Sequence, residues 1–299
     1  MGDVASCGSS GDEATGKLLD TVSGPIAGLG DYAYESGSTT DFNNCFDPSW
    51  GRHKSRMHPA PGNHEYNTSG AAPYYAYFGS AAGDPKKGYY SYNLGTWHIV
   101  VLNSNCSNIG GCDANSAQYA WLKADLAANP TTCTMAYWHH PLFSSGEHGN
   151  NSVTKPLWQL LQTNGAELVL TGHDHDYERF APQNADGTPN GQYGIREFVV
   201  GTGGRGFYNF PTVRANSEVR YNSGFGVLRL VLSDGSYTWE FISVAGKTFT
   251  DSGSGNCHGA PAASGGQNGG LAVVPSSDSA ANVADVRRIA VADLRRFAA

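Results

Sequence analysis

Glu167-Leu168-Val169-Leu170-Thr171-Gly172-His173-Asp174-His175-Asp176-Tyr177-Glu178-Arg179 joins a short apolar run to a glycine and two histidines spaced two apart. The run has the length and residue types of a buried strand. In an extended or turning segment, side chains at i and i+2 lean the same way, so both imidazoles can face one pocket, as a metal requires. One such pair is a modest signal, because lone histidines are common on surfaces and in satisfied core positions. The pattern recurs, however. Ile26-Ala27-Gly28-Leu29-Gly30 runs into Asp31, Met57 to Gly62 into Asn63-His64-Glu65, and Cys133 to Trp138 into His139-His140-Pro141.

The chain has 299 residues, 39% of them hydrophobic, enough for the core of one large α/β domain or two smaller ones. Its 39 glycines, 14 prolines and 15% charged residues favour loops and tight turns over long surface helices. A net charge of -7 argues against a stable nucleic-acid partner, and a phosphorylated substrate would need metal or local charge to offset repulsion. No apolar run is long enough to span a membrane. The 6 cysteines contain no C-x-x-C pair, which argues against a zinc knuckle or thioredoxin-like site. Cys106 and Cys112 bracket a small polar loop and make a natural disulfide, while the overall pairing stays open and a set of reduced thiols is the alternative. The even cysteine count, few lysines and Asn-x-Ser/Thr sequons at Asn67, Asn105 and Asn150 point to a secreted or periplasmic protein whose leader is absent from this sequence.

Along the chain, Glu13 to Val22 spaces Leu18, Leu19 and Val22 as a short amphipathic helix, and Pro25 to Gly30 reads as a strand. Residues 35–56 read as a long polar loop, and a second loop carries Tyr74, Tyr75, Tyr77 and Phe78. Gly88 to Leu94 and Thr96 to Asn103 pair around Gly95, and Asp113 is placed to cap a helix reaching about Asn129. Strand 133–138 precedes a helix from Val153 to Thr163. Arg196 to Val200 is a strand ending in Gly201-Thr202-Gly203-Gly204-Arg205-Gly206, which lacks the following helix or Gly-Lys-Ser/Thr of a nucleotide loop and reads as a turn at the pocket rim. Gly224 to Ser233 and Ser236 to Val244 form a hairpin around Asp234-Gly235. The domain is expected to span 1–251, a Gly/Ser/Ala-rich linker 252–282, and a short amphipathic helical tail 283–299, with Val286, Leu294 and Phe297 on one face.

Strands alternating with helices imply a mostly parallel sheet, whose carboxyl-end loops gather in one crevice. Asp3, Asp31, Asn63, His139, His173 and His175 all sit at such ends, a nitrogen and oxygen set too large for one tetrahedral zinc. Two metals about 3.5–4 Å apart, sharing a carboxylate, are the simpler account. No Gly-x-Ser-x-Gly elbow offers a competing nucleophile.

Gly30-Asp31-Tyr32-Ala33-Tyr34, Gly62-Asn63-His64-Glu65, His139-His140-Pro141 and Gly172-His173-Asp174-His175-Asp176-Tyr177-Glu178-Arg179 resemble, in this order, the blocks of calcineurin-like metallophosphoesterases, and Tyr34 points to the purple acid phosphatase branch. The resemblance covers roughly residues 2–250. It implies a sandwich of two mixed β-sheets flanked by helices, with the metal centre at the carboxyl ends of the strands. It also implies Asp3, Asp31, Tyr34 and His175 on a first metal, Asp31 as the bridge, and Asn63, His139 and His173 completing a second. A phenol ionises at neutral pH only beside a strong cation, so Tyr34 favours ferric iron in the first site. Two imidazoles, a carboxamide and the bridge suit zinc, manganese or ferrous iron in the second.

The implied reaction is hydrolysis of a small phosphomonoester by in-line attack of a metal-held hydroxide, with His64 and His148 contacting phosphate or the leaving oxygen. His140 is read as a neighbour of the site. Alternatives are a phosphodiesterase or nucleotidase on the same centre, and a non-catalytic binding protein keeping the fold. Two departures stand out: Asp3 is followed by Val4-Ala5 where the family has a glycine or histidine two residues on, and only two residues precede Asp3. A first strand cut this short should expose backbone donors and leave a gap in the core.

Overall fold

Ile99 and Val101, Met135 and Tyr137, Leu168 and Leu170, and Phe198 and Val200 are buried in one core, while Val100, Ala136, Val169 and Val199 between them are buried in another. Side chains of a strand alternate between faces, so these four runs are apolar throughout because both faces of their sheet are covered. The computed structural model describes residues 1–261. Its strands are β1 (Ile26–Gly28), β2 (Met57–Pro59), β3 (Tyr90–Leu94), β4 (Trp97–Val101), β5 (Cys133–Tyr137), β6 (Ala166–Thr171), β7 (Tyr177–Phe180), β8 (Arg196–Val200), β9 (Ser217–Tyr221), β10 (Gly226–Ser233), β11 (Ser236–Ser243) and β12 (Ser252–Asn256). A mixed seven-stranded sheet runs β3-β4-β5-β6-β8-β7-β9, with β4, β5, β6 and β8 parallel.

Helices Ala117–Ala128 and Lys155–Thr163 cover one face through Leu122, Leu126, Leu157, Trp158 and Leu161. The other face packs on two small sheets, the parallel pair β1-β2 and the antiparallel β10-β11-β12, and on aromatic side chains of residues 42–78. The architecture is therefore the expected α/β sandwich, with a second layer made of two pieces. Met1 to Ala5 run beside the continuation of β1: Asp3, Val4 and Ala5 donate their N–H groups to the carbonyls of Gly30, Asp31 and Tyr32, and Gly2 donates to Val200. Their backbone donors are thus paired. A cavity of about 210 Å³, lined by residues such as Ile26, Leu29, Val227, Leu230 and Leu232, lies beside Met1 and between β1 and β10.

Several local readings differ from the sequence expectation. Residues 35–56 are mostly helical: Ser38 and Asp41 form a capping box, and Phe42, Phe46 and Trp50, four apart, bury one face. Asn43, Asn44 and Pro48 diluted that pattern. The aromatic cluster Tyr74 to Phe78 is on the helix Ala72–Phe78, not in a loop. Ser116, not Asp113, caps the helix that follows, accepting the N–H of Tyr119. Residues 252–256 are not linker: they add β12 to β11, and Cys257 bonds Cys133 at the start of β5. The rest of the expected linker, from residue 262, and the tail 283–299 lie outside the described residues.

All six cysteines pair, as Cys7–Cys45, Cys106–Cys112 and Cys133–Cys257. The last closes a separation of 124 residues, for which chain entropy gives about 4–5 kcal/mol. Replacing Cys133 and Cys257 together by Ala should lower the unfolding free energy by roughly 3–5 kcal/mol in denaturant titration. The same change at Cys106 and Cys112, six apart, should cost clearly less.

Candidate metal centre

Four strands end at one place. β1 leads to Asp31 and Tyr34, β2 to Asn63 and His64, β5 to His139, and β6 to His173 and His175, and the extended Met1–Ala5 segment brings Asp3 alongside. The hydroxyl of Tyr34 lies 2.9 Å from Asp3 Oδ1, 3.2 Å from Asp31 Oδ2 and 3.2 Å from His175 Nε2. Next to it, His139 Nε2 lies 3.0 Å from Asn63 Oδ1, 3.1 Å from Asp31 Oδ2 and 3.2 Å from His173 Nδ1. Asp31 Oδ2 belongs to both groups.

These spacings fit cations. Donor atoms bound tetrahedrally at about 2.0–2.1 Å stand about 3.3 Å apart, slightly more than the 2.9–3.2 Å spacings of the two groups. The site is also strained in the way clamps are: Asp3 (φ 62°), Asp31 (φ 53°) and His173 (φ 71°) all have positive φ, a costly backbone for side-chain-bearing residues. Buried groups fix the donors further. His139 Nδ1–H donates to the Leu29 carbonyl at 2.7 Å, leaving Nε2 free to ligate. His173 N–H donates to Asp3 Oδ2, and His64 N–H to Asp31 Oδ1.

Electrostatics without a cation are uncomfortable. Burial works against charge on His139, but the Asp31 carboxylate outweighs it and holds His139 up to about 9. Burial raises Asp31, yet the charge of His139 and the hydrogen bonds it receives hold it well below the usual carboxylate range. Burial and the carboxylates of Asp3 and Asp31 push the Tyr34 phenol far above its ordinary value. Burial and neighbouring imidazoles push His173 down. A proton shared between His139 and Asp31 occupies the role a metal takes over, since ligands must shed protons to bind one.

The remaining two sequence candidates line the opening. His64 stacks obliquely on Tyr34 with ring centres 4.4 Å apart, and its Nδ1–H donates to Glu35 O, leaving Nε2 at 3.9 Å from Asp31 Oδ2. His148 is exposed and stacks on His173, ring centres 4.2 Å apart. His140 adds an imidazole that the sequence reading left aside: one nitrogen each of His139, His140 and His173 falls within 4.8 Å of the others.

Sequence reasoning missed the supports. Glu65 is fully buried and accepts the N–H groups of Asp31, Tyr32 and Gly62, all at 2.8 Å, so one carboxylate ties together the loops that carry Asp31 and Asn63. Burial and the charge of Asp31 push Glu65 up to about 7. A β-carbon on Gly62 would fall 2.1 Å from Asp31 Oδ1, so only glycine lets these loops touch. Asp174, Glu178 and Glu197 hold the loop after His139: Asp174 accepts from His148 N and Ser144 Oγ, Glu178 from Ser145 N, and Glu197 from Leu142 N and Phe143 N. The glycine-rich segment meets the rim as expected, Arg205 N–H donating to Asp3 O. It also delivers Arg205 over the Tyr34 ring at 5.0 Å and Tyr208 stacked on His175 at 4.1 Å. The alternation of acids in Asp174-His175-Asp176-Tyr177-Glu178 was the available signal for part of this set.

Comparison with known proteins gives a consistent answer. The family model described as calcineurin-like phosphoesterase matches residues 2–177, the span that contains every candidate ligand above. Purple acid phosphatase 18 of Arabidopsis thaliana is 30% identical over 164 residues, covering 50% of this chain and 36% of that protein. Tartrate-resistant acid phosphatase type 5 of Mus musculus is 28% identical over 142 residues, covering 44% and 40%. The chain thus spans well under half the length of these relatives. Among solved structures, the purple acid phosphatase PPD1 from yellow lupin seeds superposes with a TM-score of 0.69 at 18% identity, covering 82% of this chain and 48% of that one. Its similarity shows the same fold. The chain belongs to the calcineurin-like phosphoesterase family, in its purple acid phosphatase branch.

Proposed function

We propose that the protein is a binuclear metal-dependent phosphatase that hydrolyses small phosphomonoesters, releasing an alcohol and inorganic phosphate. The observation that carries this reading is Asp31 Oδ2, which is 3.2 Å from the Tyr34 hydroxyl and 3.1 Å from His139 Nε2 and so serves two adjacent donor groups. Asp3, Asp31, Tyr34 and His175 would hold one ion, ferric iron by the chemistry of a phenolate. Asp31, Asn63, His139 and His173 would hold the other, as zinc, manganese or ferrous iron. When bound, such a pair lowers the pKa of water and offsets charge on the phosphoryl oxygens.

The chain's own residues supply the rest. His64, with Nδ1–H committed to Glu35 O, has Nε2 as the atom that hydrogen-bonds a phosphoryl oxygen or, as imidazolium, protonates the leaving oxygen. His148, stacked on His173, lines the outer side and offers a second donor. The loop carboxylates Asp174, Glu178 and Glu197 hold that side in position. Three disulfides suit an oxidising compartment, which supports a secreted or periplasmic location. Among the described residues no helix is long and apolar enough to cross a membrane.

The deciding experiment compares a chromogenic phosphomonoester with its diester analogue before and after chelation. Monoester turnover that chelation abolishes and metal restores is the expected result; turnover indifferent to chelation rejects the reading, and diester preference reassigns the substrate. For the iron site, Tyr34→Phe should abolish a visible tyrosinate absorption band of the iron-loaded protein. A colourless, fully active, metal-loaded wild type would reject iron there.

A further inference from the structure

His140 is absent from both donor groups, yet its ring centre is 4.4 Å from that of His173. Ser104 determines what its nitrogens can do. The His140 backbone N–H donates to Ser104 Oγ at 3.0 Å, and the same oxygen meets His140 Nδ1 at 2.8 Å. The Ser104 hydroxyl hydrogen needs an acceptor in this buried setting, and Nδ1 is the one in reach. Nδ1 therefore accepts, and the other ring nitrogen, Nε2, carries the proton. A protonated Nε2 donates a hydrogen bond and does not ligate a metal.

Beyond His140 an open cleft of about 530 Å³ leads away from the metal centre, and Asn63 and His140 line both. Asn67, Asn105, Asn108 and Asn151 continue its wall, with serine hydroxyls between them. None of its lining side chains is an acid, a lysine or an arginine. Carboxamides and hydroxyls pair with hydroxyl groups, and a wall without cations gives an anionic group nothing to offset its desolvation. Asn105 is buried, its amide donating to Pro61 O and Asn103 Oδ1, so its sequon is structural and the cleft floor is preformed.

We propose that this cleft is the leaving-group subsite, that it takes a neutral, hydroxyl-rich moiety such as a polyol or sugar, and that His140 is its specificity-determining donor. The inference rests on the phosphatase reading and specifies the substrate class of that same centre. Glycerol 2-phosphate and 2-phosphoglycerate test it, because they differ by a carboxylate in place of one hydroxymethyl group, with 4-nitrophenyl phosphate as the aryl reference.

The metal-loaded wild type should favour glycerol 2-phosphate over 2-phosphoglycerate by about tenfold or more in kcat/KM. The ratio of glycerol 2-phosphate to 4-nitrophenyl phosphate should fall about tenfold in His140→Ala. It should fall similarly in Ser107→Trp, an exposed position on the cleft where the substitution does not threaten folding. Aryl phosphate turnover with no preference between the glycerol esters, or with ratios unmoved in both variants, overturns the subsite and leaves the phosphatase standing. Failure to hydrolyse 4-nitrophenyl phosphate at all would instead remove the phosphatase reading and the subsite with it.

Discussion

If the proposed two-metal phosphatase reading holds, Asp31→Ala should lower phosphomonoester kcat/KM by about 10³-fold or more and reduce bound metal to at most one equivalent. The size follows from the position of one atom. Asp31 Oδ2 faces both the Tyr34 hydroxyl and His139 Nε2, so deleting it removes a donor from each group at once, whereas His175→Ala or Asn63→Ala touches one group only. His139 would also lose the carboxylate that sustains its charge. Elemental analysis of the purified variant, alongside circular dichroism to confirm folding, reads the effect. Two full equivalents of metal in a folded Asp31→Ala protein would sink the shared-ligand arrangement.

Glu65→Ala should be the most damaging substitution among residues that ligate nothing. It leaves three buried N–H groups, on Asp31, Tyr32 and Gly62, without an acceptor, at about 1–3 kcal/mol each before relaxation. Relief of the buried carboxylate's own desolvation offsets part of this, so a net loss of about 3 kcal/mol is expected, or roughly 6–12 °C in Tm. Because the same bonds align the Asp31 and Asn63 loops, metal affinity should fall with stability. Glu65→Gln keeps one acceptor oxygen and should lie between wild type and Glu65→Ala in both measurements. A Glu65→Ala protein that melts with wild type would mean that water replaces the carboxylate.

What the sequence made legible, and what it hid, divides along a physical line. Strands buried on both faces are apolar without interruption, and their ends are marked where glycine and polar donors begin, so Asp31, Asn63, His139, His173 and His175 could be gathered from spacing alone. The loop reading of residues 35–56 failed because their helical signal lives in only three side chains, Phe42, Phe46 and Trp50, set among asparagines and a proline. β12 failed because Ser252-Gly253-Ser254-Gly255-Asn256 has linker composition; it is a strand through backbone bonds to β11 and room for Trp239 and Tyr237 over its glycines. Glu65 and Tyr208 act on backbone amides or rings supplied by distant segments, and no local pattern records that.

The split second layer has a consequence for how the molecule breathes. β10 gives one edge to β11, while its other side borders the cavity beside Met1. In deuterium labelling, amides of β10 and β11 should therefore exchange through a lower-energy opening than those of β5 and β6, which sit in the middle of the large sheet. That opening cannot become detachment, because Cys257, just past β12, is covalently pinned to Cys133. Reduction should convert a bounded flutter into a cooperative sub-global unfolding of β10 to β12, visible as a distinct exchange population.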